Sequence, residues 1–240
     1  MDKENIEFLE YSPILKKLYE STELVDKNGL KHTIQGLTTI NTIKLIREII
    51  LNEKPSSTLE IGLAYGGSAL TFLSTLKEIN SEDFFHIAID PFQKEYYGDL
   101  ACQLICEAKL QDHFKILRNK SYLEMVNLIK SKSKFDLIYI DGSHLFDEVF
   151  LDLFYSTILL NVNGIVLFDD CVDPDVKKVI NFLENNYKSH YVEIDYKKYN
   201  NSRKSLKKSL ANFLGYRQIK GYKKISENQR SWESSPLKRF

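Results

Sequence analysis

The strongest constraint on the fold is an alternation of short apolar runs with helical stretches through the middle of the chain. The runs are four to six residues long and lie at 58–61, 84–89, 114–117, 135–140 and 164–168. Apolar residues at helical spacing occupy 39–52, 68–79, 97–109, 122–130, 145–160 and 174–186. This pattern predicts βαβ units and therefore an α/β fold, a doubly wound, mostly parallel sheet with helices on both faces. Two further runs, 191–196 and 217–225, are expected to close the sheet at seven strands.

The segments outside this alternation predict a division of the chain into three parts. Residues 1–38 read as a helical lid segment, with a helical stripe over 5–21 that Pro13 interrupts and a loop over 26–37. Residues 39–225 form the predicted domain, which contains a Ser-, Lys- and Asn-rich insert at 197–215. Residues 226–240 read as a loose tail.

The net charge of zero conceals an asymmetry along the chain. Residues 197–240 hold 13 Lys and Arg against two acids, so the other 196 residues hold 20 basic against 31 acidic groups. An acidic body disfavours a nucleic-acid-binding protein. The basic insert places Leu206, Leu210 and Phe213 on one helical face, which fits either a helix packed on the body or a contact with an anionic membrane or acidic carrier.

The cysteines and the apolar runs indicate the compartment. Cys102, Cys106 and Cys171 cannot all pair and lack zinc-ligand spacing, which predicts the reducing cytoplasm. No apolar run reaches the roughly 18–20 residues that a membrane span needs, and the acidic start of the sequence lacks a signal peptide's apolar stretch.

A glycine-rich turn follows the first central strand. Ligands of open α/β sheets bind at the carboxyl ends of strands, and here the chain reads Glu60-Ile61-Gly62-Leu63-Ala64-Tyr65-Gly66-Gly67-Ser68. Glycines let the backbone turn sharply and approach a ligand, and Ser68 is expected to cap the next helix. The same turn could simply join a strand to a helix.

Asp90 ends the second central strand. A carboxylate in this position can accept two hydrogen bonds from a ribose diol, and together with the glycine-rich turn it suggests a nucleoside-containing ligand. Asp90 could also merely start a turn before Pro91. The dinucleotide fingerprint G-x-G-x-x-G is absent, which disfavours a nicotinamide cofactor.

Three aspartates follow the next pair of central strands. Asp141 ends one strand, and Asp169 and Asp170 end the other. If these strands are neighbours, three carboxylates meet without a Lys or Arg, and either some are protonated or a hard cation such as Mg²⁺ neutralises them. The alternative is that Asp141 forms a turn and the Asp pair caps the next helix.

His144 follows Asp141 by three residues. A neutral imidazole can take a proton from a hydroxyl, which makes His144 the candidate general base. A solvent-exposed histidine near a helix start is the alternative.

These residues resemble a class I S-adenosylmethionine-dependent methyltransferase with a Rossmann-like sheet, and more narrowly the metal-dependent O-methyltransferases of the macrolide-sugar (macrocin) and catechol type. The resemblance covers roughly 39–186 and rests on EIGLAYGGSAL, FDLIYIDGSH and GIVLFDDC. Histidine replaces the lysine that the catechol type has at position 144, and many catechol-like relatives have Asn at position 170. Both departures favour an aliphatic or sugar hydroxyl.

The resemblance implies a role for each candidate residue. The cofactor S-adenosylmethionine would contact Glu60, Gly62, Leu63, Gly66, Gly67, Ser68, Asp90 and Ser121. Mg²⁺ or another divalent cation would bind Asp141, Asp169 and Asp170, with His144 as the base.

Two other functions are left open by the sequence. One is an NAD-type oxidoreductase domain of similar topology, and the other is a catalytically silent relative of the methyltransferases. The expected partner is a small-molecule or sugar acceptor, and assembly into a homo-oligomer is left open.

Overall fold

The computed structural model describes residues 3–80, 83–199, 218–227 and 237. Strands β3 to β9, defined below, belong to one seven-stranded, mostly parallel sheet with helices packed against it, so the predicted fold class is confirmed. The chain divides into two compact units, residues 1–120 and 121–240. The three-part division made from the sequence stays a prediction.

The first unit contains three parallel strands in the order β5, β4, β3. Its elements are α1 (Lys3–Phe8), a 3-10 turn (Leu9–Tyr11), α2 (Pro13–Glu20), β1 (Glu23–Val25), β2 (Lys31–Thr33), α3 (Ile40–Glu53), β3 (Ser57–Ile61), α4 (Gly67–Asn80), β4 (Phe85–Ile89), α5 (Leu100–Glu107), a 3-10 turn (Gln111–His113) and β5 (Phe114–Leu117). Helix α3 follows its predicted span, because the Thr39 hydroxyl caps it by accepting a hydrogen bond from the Thr42 N–H.

Two predictions in this unit are corrected. The expected loop at 26–37 contains strand β2, which pairs antiparallel with β1 to form a small separate hairpin. Helix α5 begins at Leu100 instead of residue 97, because Gly98 and Asp99 have φ values of 56° and 58°, which are incompatible with a right-handed helix.

The second unit contains a parallel pair and two antiparallel closing strands, in the order β6, β7, β9, β8. Its elements are α6 (Ser121–Lys130), β6 (Phe135–Ile140), α7 (Phe146–Leu159), β7 (Leu160–Phe168), α8 (Pro174–Asn186), β8 (Tyr191–Glu193), a 3-10 turn (Tyr196–Tyr199) and β9 (Lys220–Lys224). Strand β7 starts four residues before its predicted start, and its pairing with β6 shifts register between Phe135 and Leu137.

Strands β8 and β9 confirm a strand within each predicted C-terminal run, but β8 ends at Glu193 and Tyr196 begins a 3-10 turn. The insert predicted at 197–215, including its apolar face, lies outside the described residues apart from 197–199. Among the residues described, no helix has both the length and the apolar character needed to cross a bilayer.

Candidate active site

The glycine-rich turn between β3 and α4 depends on left-handed backbone conformations. Gly62 and Gly66 have φ values of 90° and 83°, and Ala64 has 45°. A side chain at Gly66 would also place its Cβ 2.9 Å from the Cβ of Ala101 on α5. Glycine at 66 is therefore required both by the backbone conformation and by the close approach of α5.

Asp90 holds this turn through its carboxylate. Its Oδ2 accepts hydrogen bonds from the N–H groups of Leu63 (3.1 Å) and Ala64 (3.0 Å) and from Gln93 Nε2 (3.0 Å). Its Oδ1 accepts from the Phe92 N–H at 2.8 Å, so Asp90 also starts the turn after β4. The side chain is buried, and an anchor of the backbone is its observed role. Contact with a ribose stays a prediction.

Glu60 lies in β3, just before the turn, with no exposed surface. Neither carboxylate oxygen has an aligned hydrogen bond to any residue that the structure describes. The closest ion-pair contact is to Nε2 of the buried His86, 3.3 Å from Oε1. A buried carboxylate left in this state is costly unless a further donor reaches it.

The start of α4 corrects the predicted role of Ser68. The helix begins at Gly67, so Ser68 lies inside the first turn and is not the residue that precedes the helix. Its side chain is buried at the same helix end, and the N–H groups of this end face no helical acceptor.

In the second unit, Asp141 and Asp169 converge because β6 and β7 are neighbouring parallel strands. The hydroxyl of Tyr139 donates to Oδ2 of Asp141 at 3.0 Å and to Oδ2 of Asp169 at 2.6 Å. Burial, with the two carboxylates, raises the pKa of Tyr139 well above its usual value, so it remains a donor. Burial also raises the pKa of Asp169, against the effect of the Tyr139 hydrogen bond.

Asp170 turns to different partners. Its φ is 50°, its Oδ1 accepts from Gln218 Nε2, and its Oδ2 lies 2.8 Å from Nε2 of His144. The other imidazole nitrogen, Nδ1, lies 3.9 Å from an oxygen of Asp173. His144 is half exposed and lies in the connection before α7, and its contact with Asp170 was not predicted from the sequence.

The alternative in which the Asp pair caps the next helix is wrong. Helix α8 is capped by Asp173, whose side chain accepts from the Asp175 N–H, and Pro174 occupies its first turn as predicted. The predicted metal ligands and His144 instead line one pocket with these residues: Ile140, Asp141, Gly142, Ser143, His144, Val149, Phe168, Asp169, Asp170 and Val176.

The donors of this pocket fit a hard cation in chemical type, since they are carboxylate oxygens. As placed, Asp141 and Asp169 share the Tyr139 hydroxyl while Asp170 faces His144 and Gln218. Within the described part of the chain, no three acidic, His or Cys side chains already form a cluster able to hold a metal ion. Binding would require Oδ1 of Asp170 to exchange Gln218 for the ion, which leaves Oδ2 on His144.

Ser121 begins α6 and lies near the buried Asp152 of α7. Burial raises the pKa of Asp152 to about 7, and the Ser121 hydroxyl opposes that shift. Neither Asp152 oxygen has an aligned hydrogen bond among the residues described. The adenine contact predicted for Ser121 stays a prediction.

Four residues near the site were not predicted from the sequence: Tyr139, Gln93, His86 and Gln218. Tyr139 could have been found, because it lies two residues before Asp141 in a strand and so shares its face. Gln93 and His86 carry no motif. Gln218 reaches Asp170 from 48 positions away, which no local pattern reveals.

Part of the chain is similar to a known protein family. Residues 59–171 match a family model described as a methyltransferase domain. This segment is therefore similar to methyltransferase domains, in agreement with the enzyme class expected from the sequence. No curated protein sequence matches the chain significantly.

Solved structures share the fold at low sequence identity. A Klebsiella pneumoniae protein provisionally assigned as an O-methyltransferase has a TM-score of 0.59 at 15% identity, covering 76% of this chain and 81% of its own. The O-methyltransferase from Bacillus cereus, solved with SAH, has a TM-score of 0.57 at 16% identity, and the match covers 81% of this chain and 84% of that chain. TomG from Streptomyces achromogenes is an O-methyltransferase involved in tomaymycin synthesis and was solved with SAM. It has a TM-score of 0.56 at 14% identity, and the match covers 81% of this chain and 84% of that chain.

Proposed function

We propose that this chain transfers a methyl group from S-adenosylmethionine to a hydroxyl of a small molecule or sugar. The observation that carries the proposal is the buried Glu60 carboxylate, without an aligned donor, beside a turn that Asp90 holds in left-handed conformations. The methyltransferase-domain match and the neighbours solved with SAH and SAM support it.

The residues present fit the cofactor. S-adenosylmethionine is a cation with an ammonium group, a carboxylate and a ribose, and it supplies an activated methyl group when bound. Glu60 offers acceptors to the ammonium, and the start of α4 with Gly67 and Ser68 offers N–H groups to the carboxylate. Asp90 keeps the N–H groups of Leu63 and Ala64 in place, so the turn is preformed.

His144 is the proposed general base. Its Nε2 lies 2.8 Å from Asp170, so a proton on Nε2 leaves Nδ1 as the acceptor for the proton of a substrate hydroxyl. Asp170 would then also stabilise the imidazolium that forms. This is the chemistry that an unactivated aliphatic hydroxyl requires.

We also propose that the reaction needs a divalent cation, held by Asp141, Asp169 and Asp170. A bound Mg²⁺ would supply positive charge to the substrate oxygen. Exhaustive chelation should abolish turnover, and added Mg²⁺ should restore it while Na⁺ at equal ionic strength should not. Full activity after chelation would mean that the three carboxylates hold no catalytic ion and serve only through contacts such as those with Tyr139, Gln218 and His144.

The competing function is an NAD-type oxidoreductase domain. Isothermal titration calorimetry with S-adenosylhomocysteine and with NAD separates the two, and we expect micromolar binding of the first and none of the second. Binding of NAD alone would overturn the proposal, whereas cofactor binding without transfer to any of a panel of hydroxyl acceptors would favour the catalytically silent alternative.

We also propose a cytoplasmic setting for the reaction. The three cysteines are free thiols in the structure, in keeping with the proposed cytoplasmic location. A nucleic-acid substrate is disfavoured by the acidic body of the chain.

A further inference from the structure

The buried Glu60 carboxylate has no aligned hydrogen bond among the described residues, and the proposed cofactor contact leaves open what holds it in place. An unpaired carboxylate with no exposed surface is expected to rotate toward, or be neutralised by, any donor within reach. The polar atom placed beside it is Nε2 of His86, 3.3 Å from Oε1, and His86 is also without exposed surface.

His86 is held in one orientation by three contacts. It lies directly opposite Thr58 in the parallel pairing of β3 with β4, and its Nδ1 is 2.8 Å from the Thr58 hydroxyl. Its ring stacks on Phe72 at a centroid distance of 4.9 Å and on Phe114 at 6.0 Å. A stacked, fully buried ring of this kind cannot turn its nitrogens away from Glu60 without repacking the core.

The hydrogen bonds of Thr58 influence whether Nε2 of His86, the nitrogen beside Glu60, carries a proton. If the ring is neutral and the Thr58 hydroxyl donates to Nδ1, the ring hydrogen is on Nε2. If the ring is an imidazolium, Nδ1–H donates to Thr58, whose own hydrogen can turn to the Phe85 carbonyl oxygen 3.4 Å away. A neutral ring with its hydrogen on Nδ1 would set the Nε2 lone pair against the carboxylate and is disfavoured by that repulsion, so in the two favoured states Nε2–H lies beside Oε1 of Glu60 without an aligned hydrogen bond.

We propose that His86 is a positioning residue for cofactor binding, which holds the Glu60 carboxylate in place for the ammonium of the cofactor's amino-acid end. A carboxylate accepts about four hydrogen bonds, so one contact at Oε1 leaves acceptors for the ligand. The inference rests on the proposed cofactor.

The test compares two ligands that differ only at that end. S-adenosylhomocysteine carries the amino-acid group, and 5′-methylthioadenosine lacks it. In the full chain, His86→Phe keeps an aromatic ring between Phe72 and Phe114 but removes both nitrogens. We expect the variant to lower the affinity for S-adenosylhomocysteine, measured by calorimetry, about tenfold or more. The affinity for methylthioadenosine should stay within about twofold of that of the unaltered chain.

His113→Phe is the matched control, because His113 also stacks on a phenylalanine, Phe84, at 4.1 Å. It should change neither affinity. Equal weakening of both ligands by His86→Phe would show a structural role, and unchanged affinity for both would show no role at all. Either result overturns the proposal.

A second pair of variants covers the case in which His86→Phe does not fold. Thr58→Val removes the hydroxyl that sets the ring hydrogen, and it should give a smaller loss with the same ligand selectivity. In a Glu60→Gln background, Thr58→Val should have no further effect on S-adenosylhomocysteine, whereas additive losses would overturn the coupling. If the unaltered chain binds S-adenosylhomocysteine but the variants do not weaken it selectively, this inference fails alone; if the unaltered chain does not bind S-adenosylhomocysteine, the proposed cofactor fails with it.

Discussion

Asp90 accepts four hydrogen bonds from the residues around it, and three of them end on the same oxygen. A residue expected to meet a ligand is therefore first of all an anchor for its own backbone. Oδ1 has a single protein donor, so it retains acceptors that a ribose hydroxyl could use. Stability and binding are consequently linked at this position.

Asp90→Ala should lower the free energy of unfolding by about 2–4 kcal/mol, because it leaves the N–H groups of Leu63 and Ala64 without their charged acceptor. Cofactor affinity should fall as well, since the turn loses its anchor. Urea denaturation and calorimetry measure the two effects, with the exposed Asp112→Ala as control. A variant with full stability and weakened binding would show that the carboxylate acts only on the ligand.

His144 is the residue on which the proposed chemistry depends most. His144→Ala should reduce turnover by about 10²–10⁴-fold and leave the affinity for S-adenosylhomocysteine nearly unchanged, because a base acts on the transition state and not on cofactor binding. Single-turnover rates and calorimetry separate the two. Activity within a few-fold of the unaltered chain would assign proton removal to water.

At the scale of elements, the loops after the strands carry the candidate residues, and the packing of helices against those loops determines which residues are tolerated. Helix α5 approaches the turn between β3 and α4 so closely that a Cβ at Gly66 would lie 2.9 Å from the Cβ of Ala101. Two separate effects therefore act at Gly66, backbone strain and steric overlap.

Gly66→Ala and Gly29→Ala separate these effects. Both glycines have a φ of 83°, but a Cβ at Gly29 would meet nothing within 4 Å, whereas a Cβ at Gly66 would meet Ala101 at 2.9 Å. We expect Gly29→Ala to cost about 1 kcal/mol through strain alone and Gly66→Ala about 2–4 kcal/mol. Equal losses in thermal or urea unfolding would mean that α5 moves aside without cost.

At the scale of the whole molecule, buried ionisable groups make the stability of the fold depend on pH. Asp152 is 1% exposed, and burial raises its pKa to about 7. Its unfolded value is near 3.9. Between these values the folded protein binds a proton that the unfolded chain has released, so this group makes stability fall as pH rises from about 4 to about 7.

Asp152→Asn should therefore leave stability nearly unchanged at pH 4 and raise it at pH 8, by at most roughly 4 kcal/mol. Urea unfolding across this range measures the change. For the exposed Asp147→Asn on the same helix, the change in the free energy of unfolding should not depend on pH. A flat difference for Asp152→Asn would mean that water or a rearranged partner solvates the carboxylate.

The sequence by itself determined the order and type of the central elements, because hydrophobic periodicity is a local property and strands β3, β4, β6 and β7 are mostly buried apolar runs. It also predicted that Asp141 and Asp169 would meet if their strands were neighbours, a condition that the parallel pairing of β6 with β7 fulfils. It did not reveal the β1–β2 hairpin, whose strands of three residues are too short to show a period.

Only the tertiary structure decided what each carboxylate contacts. Asp90 binds the turn after another strand, Asp170 meets a glutamine 48 positions away, and Glu60 lies against a histidine that has no motif. Hydrogen bonds form between groups that the fold brings within about 3 Å, and strand pairing does this across any separation in sequence. Residue type therefore predicts which side chains can carry charge or protons, whereas the partners that tune them depend on the packed structure.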